Sequence, residues 1–255
     1  EIRQAGSAVQ PSPGPGRVGF LQRPVRIVIL AKAPRPGAVK TRLEPALGAA
    51  GAARLAERLL RRTIGTACAS GQGVVEVCAS PGPDDPAWRR LSWPPELAWS
   101  EQSGGDLGER MAAVARRVLA SGANLLLLGM DCAELDAHHL QTAAAQLCGA
   151  DAALIPSLDG GYVLLGLRRF HPALFRAVPW STGAVCAITR ERLRTLGWSW
   201  REQCPLADLD EPVDLDRLPQ AIRLQLAIGH DPGSPATSGR PGPPGQHSGG
   251  DPGAG

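Results

Sequence analysis

The sequence has few of the features that mark membrane, secreted or nucleic-acid-binding proteins. Only 4% of its 255 residues are aromatic, and no apolar run approaches the ~18 residues that a membrane-spanning helix needs. Its six cysteines form no Cys-x-x-Cys pair and show no metal-site spacing. The net charge is only +3, and the region between the two termini is nearly balanced. We therefore expect neither a general nucleic-acid surface nor a membrane surface.

The cysteines and the N-terminal residues both predict a cytoplasmic protein. Scattered cysteines in a chain of this length favour free thiols in a reducing compartment. Residues 1–23 also lack the apolar core of a secretory signal. We expect cytoplasmic localisation, without a membrane span.

Glycine and proline divide the sequence into a central domain and two extensions. Residues 231–255 contain 14 glycines or prolines among 25 residues. Such a composition buries too little apolar surface to offset the entropy lost on ordering. We expect residues 1–23 and 231–255 to be disordered and residues 24–230 to form one domain.

Strand-like and helix-like segments alternate within the central domain. The apolar runs at residues 25–30 and 124–128 are typical of strands covered on both faces. Residues 48–69 and 106–122 instead repeat apolar side chains at helical spacing. This alternation predicts a three-layer α/β/α sandwich with a mainly parallel, mixed sheet, which binds ligands at the carboxyl ends of its strands.

The first strand leads directly into a stiff, cationic loop with the sequence APRPGAVKTRL, residues 33–43. Its prolines restrict the backbone, and Gly37 permits close approach to a ligand. Lys40 can contact phosphate as a point charge and Arg42 as a fork. The P-loop pattern is absent, because Val39 precedes the lysine. The position after a strand still favours a phosphate site over an ordinary surface loop.

Three separated carboxylate motifs accompany this loop. Asp131 follows a buried strand, where a carboxylate is costly unless it binds a cation. Asp159 begins an Asp-Gly-Gly turn. The third motif is an acidic run made of Asp208, Asp210, Glu211, Asp214 and Asp216. Helix capping would explain Asp131, and a hairpin turn would explain Asp159. Together with the basic loop, the motifs predict a metal–diphosphate site.

Two further segments contain candidate substrate contacts. In QSGGDLGERM, residues 102–111, glycines permit close backbone approach and Arg110 can point into the site. Asp106 is explained equally well as a helix cap. In PWSTGAV, residues 179–185, an aromatic side chain beside hydroxyls would suit a sugar or another acceptor. An N-cap role would also explain Thr182.

In this order, the six motifs APRPGAVKTRL, QSGGDLGERM, GMDCAEL, SLDGGYVLLGL, PWSTGAV and LDEPVDLDRL resemble a family of bacterial glycosyltransferase-like proteins. That family belongs to the nucleotide-diphospho-sugar transferase superfamily and is associated with radical-SAM/selenodomain and arsenosugar gene clusters. The resemblance covers about residues 25–220. It implies a GT-A-like transferase domain at residues 24–230, a nucleotide-binding first loop and a divalent metal, Mg²⁺ or Mn²⁺.

The resemblance also implies roles for individual positions. The metal ligands would be Asp131, Asp210 and Asp159. The catalytic residues would be Asp131, Lys40 and Asp159. The nucleotide and phosphate contacts would be Ala31, Lys32, Pro36, Gly37, Lys40, Arg42, Gln102, Gly104, Gly105 and Arg110. Independently of the resemblance, we expect acceptor contacts from Gly160, Gly161, Tyr162, Trp180, Ser181 and Thr182.

We therefore expect a metal-dependent glycosyltransferase that moves a sugar from a nucleotide-diphospho-sugar to a small-molecule acceptor. The alternative is a nucleotidyltransferase of the guanylyltransferase kind, which would release pyrophosphate from a nucleoside triphosphate. A third possibility is a non-catalytic nucleotide-sugar-binding protein. The carboxylates argue against this third possibility, because simple binding does not require them. No nucleic-acid partner is expected.

Overall fold

The computed structural model describes residues 23–226. The two predicted extensions lie outside these residues, except for Arg23, and so do residues 227–230 of the predicted domain. Within the described part of the chain, no helix is both long and apolar enough to cross a membrane. All six cysteines belong to that part: Cys78, Cys132 and Cys186 are buried, Cys68 is half-buried, and Cys148 and Cys204 are exposed.

Within residues 23–226, seven strands form one sheet in the order β3-β2-β1-β4-β6-β5-β7. Their bounds are β1 (Val25–Lys32), β2 (Gly73–Ser80), β3 (Ala98–Glu101), β4 (Asn124–Leu128), β5 (Ala152–Pro156), β6 (Tyr162–Leu167) and β7 (Trp200–Glu202). Strand β6 runs antiparallel to both of its neighbours, and every other adjacent pair is parallel. The predicted mainly parallel, mixed sheet is confirmed.

Helices connect most of these strands. They are α1 (Glu44–Ala69), α2 (Pro86–Arg89), α3 (Leu107–Ala120), α4 (Ala137–Gln146), α5 (Val185–Thr195), α6 (Pro212–Arg217) and α7 (Gln220–Gln225). Two single 3₁₀ turns occur at Thr41–Leu43 and Pro172–Leu174. Helix α1 begins before the predicted residue 48 and is kinked at Gly48, which has a φ of 68°.

Two apolar clusters cover the two faces of the sheet. Ile27 and Ile29 of β1 lie in one cluster with the buried faces of α1 and α4. Val28 lies in the other cluster with those of α3 and α5. Alternate residues of β1 therefore enter opposite cores, as a strand covered on both faces requires. This arrangement confirms the predicted three-layer sandwich.

A third apolar cluster supports the segments that contain the predicted site residues. It includes Leu43 of the basic loop, Ala133 and Leu209. The backbone N–H of Leu209 also donates a hydrogen bond to the carbonyl of Asp131 at 3.0 Å. These contacts fix the segment that contains Asp131 beside the segment that contains Asp210, although the two are distant in sequence.

Candidate active site

Lys40 lies at the centre of the candidate site. Its Nζ atom is 2.5 Å from Asp131 Oδ1 and 2.8 Å from Asp210 Oδ1. It also donates a hydrogen bond to the Leu209 carbonyl at 2.6 Å. The Lys40 side chain is only 5% exposed, whereas those of Asp131 and Asp210 are 42% and 45% exposed. The ammonium therefore bridges the two carboxylates from the protein side, and both carboxylates remain accessible to solvent.

Lys40 reaches this position through a left-handed backbone conformation. Its φ and ψ are 50° and 38°, a region that costs a residue other than glycine about 1–2 kcal/mol. Such a conformation persists where surrounding contacts over-determine it. The Leu43 N–H donates to the Lys40 carbonyl at 2.8 Å, and the ammonium contacts fix the other end of the residue.

The neighbouring charges keep Lys40 protonated. Burial lowers the pKa of the Lys40 ammonium, but the negative charges of Asp131 and Asp210 and their hydrogen bonds outweigh burial. The pKa of Lys40 is consequently raised above its ordinary value. The group between the two carboxylates is therefore a cation.

Asp208, which the sequence indicates only as a member of the acidic run, also belongs to this cluster. Burial raises the pKa of Asp208 to about 7, and the charges of Asp131, Asp159 and Asp210 contribute to the rise. The positive charge of Lys40 acts in the opposite direction. Four carboxyl groups therefore share one electrostatic environment with a single ammonium.

The alternation of burial around Asp208 explains its position and was a usable sequence signal. Leu209 is buried, whereas Asp208 and Asp210 on either side are half-buried. In extended backbone, side chains at i and i+2 face the same way. The pattern Asp-Leu-Asp could therefore have placed Asp208 beside Asp210.

The donor set fits a hard divalent cation that is bound together with phosphate. Within residues 23–226, no group of three or more His, Cys, Asp or Glu side chains is arranged to hold a metal ion. Asp131 and Asp210 nevertheless share one cationic centre, the Lys40 ammonium. Mg²⁺ commonly binds one or two carboxylates plus substrate phosphates and water, and Mn²⁺ prefers similar oxygen ligands. Two carboxylates suit that mode of binding better than an all-protein cage.

Asp159 lies in the turn between β5 and β6, and its side chain stabilises that turn. Its Oδ1 atom accepts hydrogen bonds from the Ser157 hydroxyl and from the Gly161 N–H, the latter at 2.9 Å. The hairpin-turn explanation is confirmed. The metal and catalytic roles of Asp159 stay predictions, supported by the effect of its charge on Asp208.

The other basic residues of the first loop are exposed. The Arg42 side chain is 63% exposed, and its Nη1 is 3.9 Å from Asp210 Oδ2. Lys32 is exposed at the end of β1. Arg35 forms an ion pair with Asp85. The structure therefore brings Arg42, together with Lys40, to the carboxylates.

Gln102 connects the carboxyl ends of β1 and β2. Its side-chain amide donates hydrogen bonds to the carbonyls of Ala31 at 3.0 Å and Cys78 at 2.9 Å. Ala31 itself is buried, whereas Pro36 and Gly37 are exposed in the loop that follows β1. Gln102 therefore shapes the edge at which a nucleotide is predicted to bind.

The glycine pair before α3 forms a tight, exposed turn. Gly105 has a φ of 93°, and a Cβ there would lie 2.0 Å from Glu109 Oε2. Asp106 and Glu109 form a reciprocal capping box, which confirms the helix-cap explanation of Asp106. The Arg110 Nε donates to the Gly105 carbonyl at 3.1 Å, and Gly104 is exposed beside this turn.

The two predicted acceptor segments contact each other closely. Gly160 has a φ of 90°, and a Cβ there would lie 2.1 Å from the Gly183 carbonyl oxygen. The Cys186 N–H donates to the Gly160 carbonyl at 2.9 Å. The Asp-Gly-Gly turn and the loop before α5 therefore form one unit.

The aromatic residues of these segments are half-buried. Within the described residues, the Trp180 Nε1 is buried without a hydrogen-bond partner. The Tyr162 hydroxyl contacts the Met111 sulfur at 3.7 Å, and burial raises the pKa of Tyr162 above its ordinary value. Ser181 and Thr182 are exposed. The N-cap of α5 is Ala184, so the N-cap explanation of Thr182 is wrong.

Comparisons with known proteins agree with this architecture. The family described as "Uncharacterized protein conserved in bacteria (DUF2064)" matches residues 63–182. The crystal structure of a "putative nucleotide-diphospho-sugar transferase" from Desulfovibrio desulfuricans G20 is 30% identical, with a TM-score of 0.69. That match covers 74% of this chain and 83% of the Desulfovibrio chain. The chain belongs to the DUF2064 family.

Two more distant structures share the fold of this DUF2064 protein. The Rv0371c homologue from Mycobacterium sp. strain JC1 is 17% identical with a TM-score of 0.51, over 82% of this chain and all of that one (100%). The 4-diphosphocytidyl-2C-methyl-D-erythritol synthase from Anaerococcus prevotii DSM 20548 is 9% identical with a TM-score of 0.51, over 81% and 96% of the chains. No curated protein sequence matched. The predicted nucleotide-diphospho-sugar transferase fold is confirmed.

Proposed function

We propose that this DUF2064 protein is a metal-dependent transferase that takes a sugar from a nucleotide-diphospho-sugar and transfers it to a small-molecule acceptor. The observation that supports this most directly is the meeting of Lys40, Asp131 and Asp210. Lys40 and Asp131 lie in the loops after β1 and β4, at the strand ends where open α/β sheets bind ligands. The description of the Desulfovibrio relative, 30% identical, supports the same donor class.

The basic residues would bind the diphosphate and stabilise its departure. Arg42 is exposed and can form a forked contact with phosphate oxygens. In the reaction, the bond between the anomeric carbon and the diphosphate oxygen breaks, a bond to the acceptor oxygen forms, and the acceptor hydroxyl loses its proton. Positive groups aimed at the oxygen that gains charge lower the barrier. Lys40 and Arg42 would supply those groups.

Asp131 and Asp210 would hold the divalent ion. A bound Mg²⁺ or Mn²⁺ supplies Lewis-acid stabilisation of the departing nucleoside diphosphate. Asp208 and Asp159 add negative charge around this position. The exposed Ser181 and Thr182 would contact the acceptor, in the unit formed with the Asp-Gly-Gly turn.

The test is to supply the purified full chain with Mn²⁺ or Mg²⁺, panels of nucleotide sugars and nucleoside triphosphates, and a cell extract as acceptor. Nucleoside diphosphate and pyrophosphate are quantified. We expect nucleoside diphosphate from one sugar donor, and a fall of at least roughly 100-fold in Asp131→Asn, since losing even an outer-shell partner of a metal site costs about 10–100-fold. Asp216→Asn is the matched control, because Asp216 is exposed on α6.

Other products would change the assignment in defined ways. Pyrophosphate from one triphosphate would replace glycosyl transfer with nucleotidyl transfer at the same site. Metal-dependent nucleotide binding without turnover would favour a binding protein. We also infer from the six motifs that the chain belongs to the subgroup associated with radical-SAM/selenodomain and arsenosugar gene clusters, which its gene neighbourhood would test.

A further inference from the structure

The Lys40 ammonium already contacts both Asp131 and Asp210, the two carboxylates that would bind a metal ion. Nζ lies within 2.8 Å of a carboxylate oxygen of each aspartate. The Lys40 side chain is nearly fully buried, at 5% exposure, and the Leu209 carbonyl accepts a further hydrogen bond from it. A metal ion at these oxygens would be repelled by the ammonium. The ammonium would also neutralise part of the negative charge of the two carboxylates.

A free metal ion also finds few protein ligands at this position. Within residues 23–226 no cluster of three or more metal-binding side chains is formed. A divalent ion without other ligands would therefore rely on Asp131, Asp210 and water. We expect such an ion to bind weakly as long as the ammonium stays in place.

We propose that Lys40 is an internal competitor of the metal, and that a diphosphate removes the competition by accepting the Lys40 ammonium. The inference rests on the proposed function, because it takes the donor diphosphate as the group that attracts Lys40. Metal and nucleotide then bind together, each strengthening the other by the same factor, as linkage requires.

The structure of Lys40 suits such a transfer. Its ammonium is on a flexible four-carbon stem with rotatable donors. Its left-handed backbone depends on the contacts that surround the residue. Arg42 lies 3.9 Å from Asp210 on the exposed side of the same cluster. A diphosphate that contacts Arg42 would therefore lie beside Asp210, one of the two carboxylates that hold the ammonium.

The first experiment measures Mn²⁺ binding to the full chain without nucleotide, by the loss of the free-ion signal in electron paramagnetic resonance. We expect Lys40→Gln to bind Mn²⁺ at least about tenfold more tightly than the wild type, within the usual range of coupling between sites. Lys40→Arg keeps the positive charge and should bind weakly, like the wild type. Arg194→Gln removes one exposed positive charge, 64% exposed on α5, and should change the affinity less than twofold.

Equal or weaker Mn²⁺ binding by Lys40→Gln would overturn the proposal. Should this variant be destabilised, its thermal midpoint provides the same test. Mn²⁺ should then raise the midpoint of Lys40→Gln more than that of the wild type, and an equal rise would refute the competition.

A second measurement separates this inference from the proposed function. Binding of UDP, GDP, CDP and ADP is measured by calorimetry with saturating Mg²⁺. The best diphosphate should bind the wild type more tightly than Lys40→Gln, although the variant binds free metal better. If no diphosphate binds any variant while Lys40→Gln still binds Mn²⁺ more tightly, the competition stands and the transferase proposal and the diphosphate step fail. If a diphosphate binds wild type and Lys40→Gln equally, the transfer of the ammonium is refuted and the donor class remains.

Discussion

Two ion clusters of this protein use the same kinds of side chain with opposite charge balance. In the sheet interior, Glu76 of β2 is 1% exposed and accepts hydrogen bonds from Arg26 at 2.7 Å and Ser100 at 2.6 Å. Arg117 of α3 forms a further ion pair with Glu76. One carboxylate therefore has two guanidinium partners. In the candidate active site, four carboxyl groups share a single buried ammonium.

The pKa shifts of the two clusters have opposite directions. Burial raises the pKa of Glu76, but hydrogen bonds from Arg117, Ser100 and Arg26 outweigh it and hold the pKa below its ordinary value. At Asp208, burial and neighbouring carboxylates act together and raise the pKa to about 7. The Glu76 cluster is complete without a ligand. The active-site cluster has an excess of negative charge, which a bound cation would balance.

The largest effect on stability is expected from breaking the complete cluster. Glu76→Gln should lower the free energy of unfolding by about 1.5–3 kcal/mol, because hydrogen bonds from two partly exposed guanidinium groups to a buried, charged carboxylate are lost. Urea denaturation measures this loss. Glu57→Gln is the control, since Glu57 pairs with Arg61 at the surface of α1 and such pairs contribute about 0.2–1 kcal/mol. A loss below about 1 kcal/mol for Glu76→Gln would show that the cluster is not structural.

The pH dependence of this loss sharpens the comparison. Because the folded pKa of Glu76 lies below its ordinary value of 4.5, its contribution is fully present above the unfolded pKa and is lost as pH falls through the folded pKa. The difference between wild type and Glu76→Gln should therefore be large near pH ~7 and shrink towards pH ~3. Urea titrations at several pH values test it. A difference independent of pH would refute the assignment of the effect to the ionised carboxylate.

The smallest effect on the free energy of unfolding, a gain instead of a loss, is expected from a substitution in the cluster of the candidate active site. Asp208→Asn should raise the free energy of unfolding by roughly 0.5–2 kcal/mol near pH 8, because it removes one of several mutually repelling carboxylates. The same urea experiment measures it. Destabilisation by this substitution would mean that the excess negative charge is balanced within the folded chain, and the contrast with Glu76 would be lost.

Much of the fold could be predicted, because its central elements have strong local patterns. The apolar run of β1 and the turn at Asp159 predict buried strands and a hairpin, and both are present. Strands β3 and β7 had no such signal, since they are short edge strands defined by pairing with β2 and β5. The helical residues before Gly48 were not predicted; the backbone leaves the helical conformation at Gly48, with φ 68° and ψ 162°, and the predicted helix continues beyond this kink.

The site could be predicted in its residues but not in its contacts. Lys40, Asp131 and Asp210 stand out as charged residues after apolar segments. Their meeting depends on tertiary structure, since Lys40 and Asp210 are 170 positions apart. The raised pKa of Asp208 required the positions of its neighbours. The half-buried state of Trp180 likewise depends on α3, where a Cβ at Gly108 would lie 2.5 Å from the indole nitrogen.

The close approach of Gly160 to Gly183 has a consequence for the divergence of this family and for its engineering. No room remains between these backbones for even a methyl group, so the sequences of the two predicted acceptor segments are constrained jointly. A loop transplanted alone from a relative would meet a partner of unmatched shape. Changes in acceptor preference should therefore be inherited, and grafted, as pairs of segments.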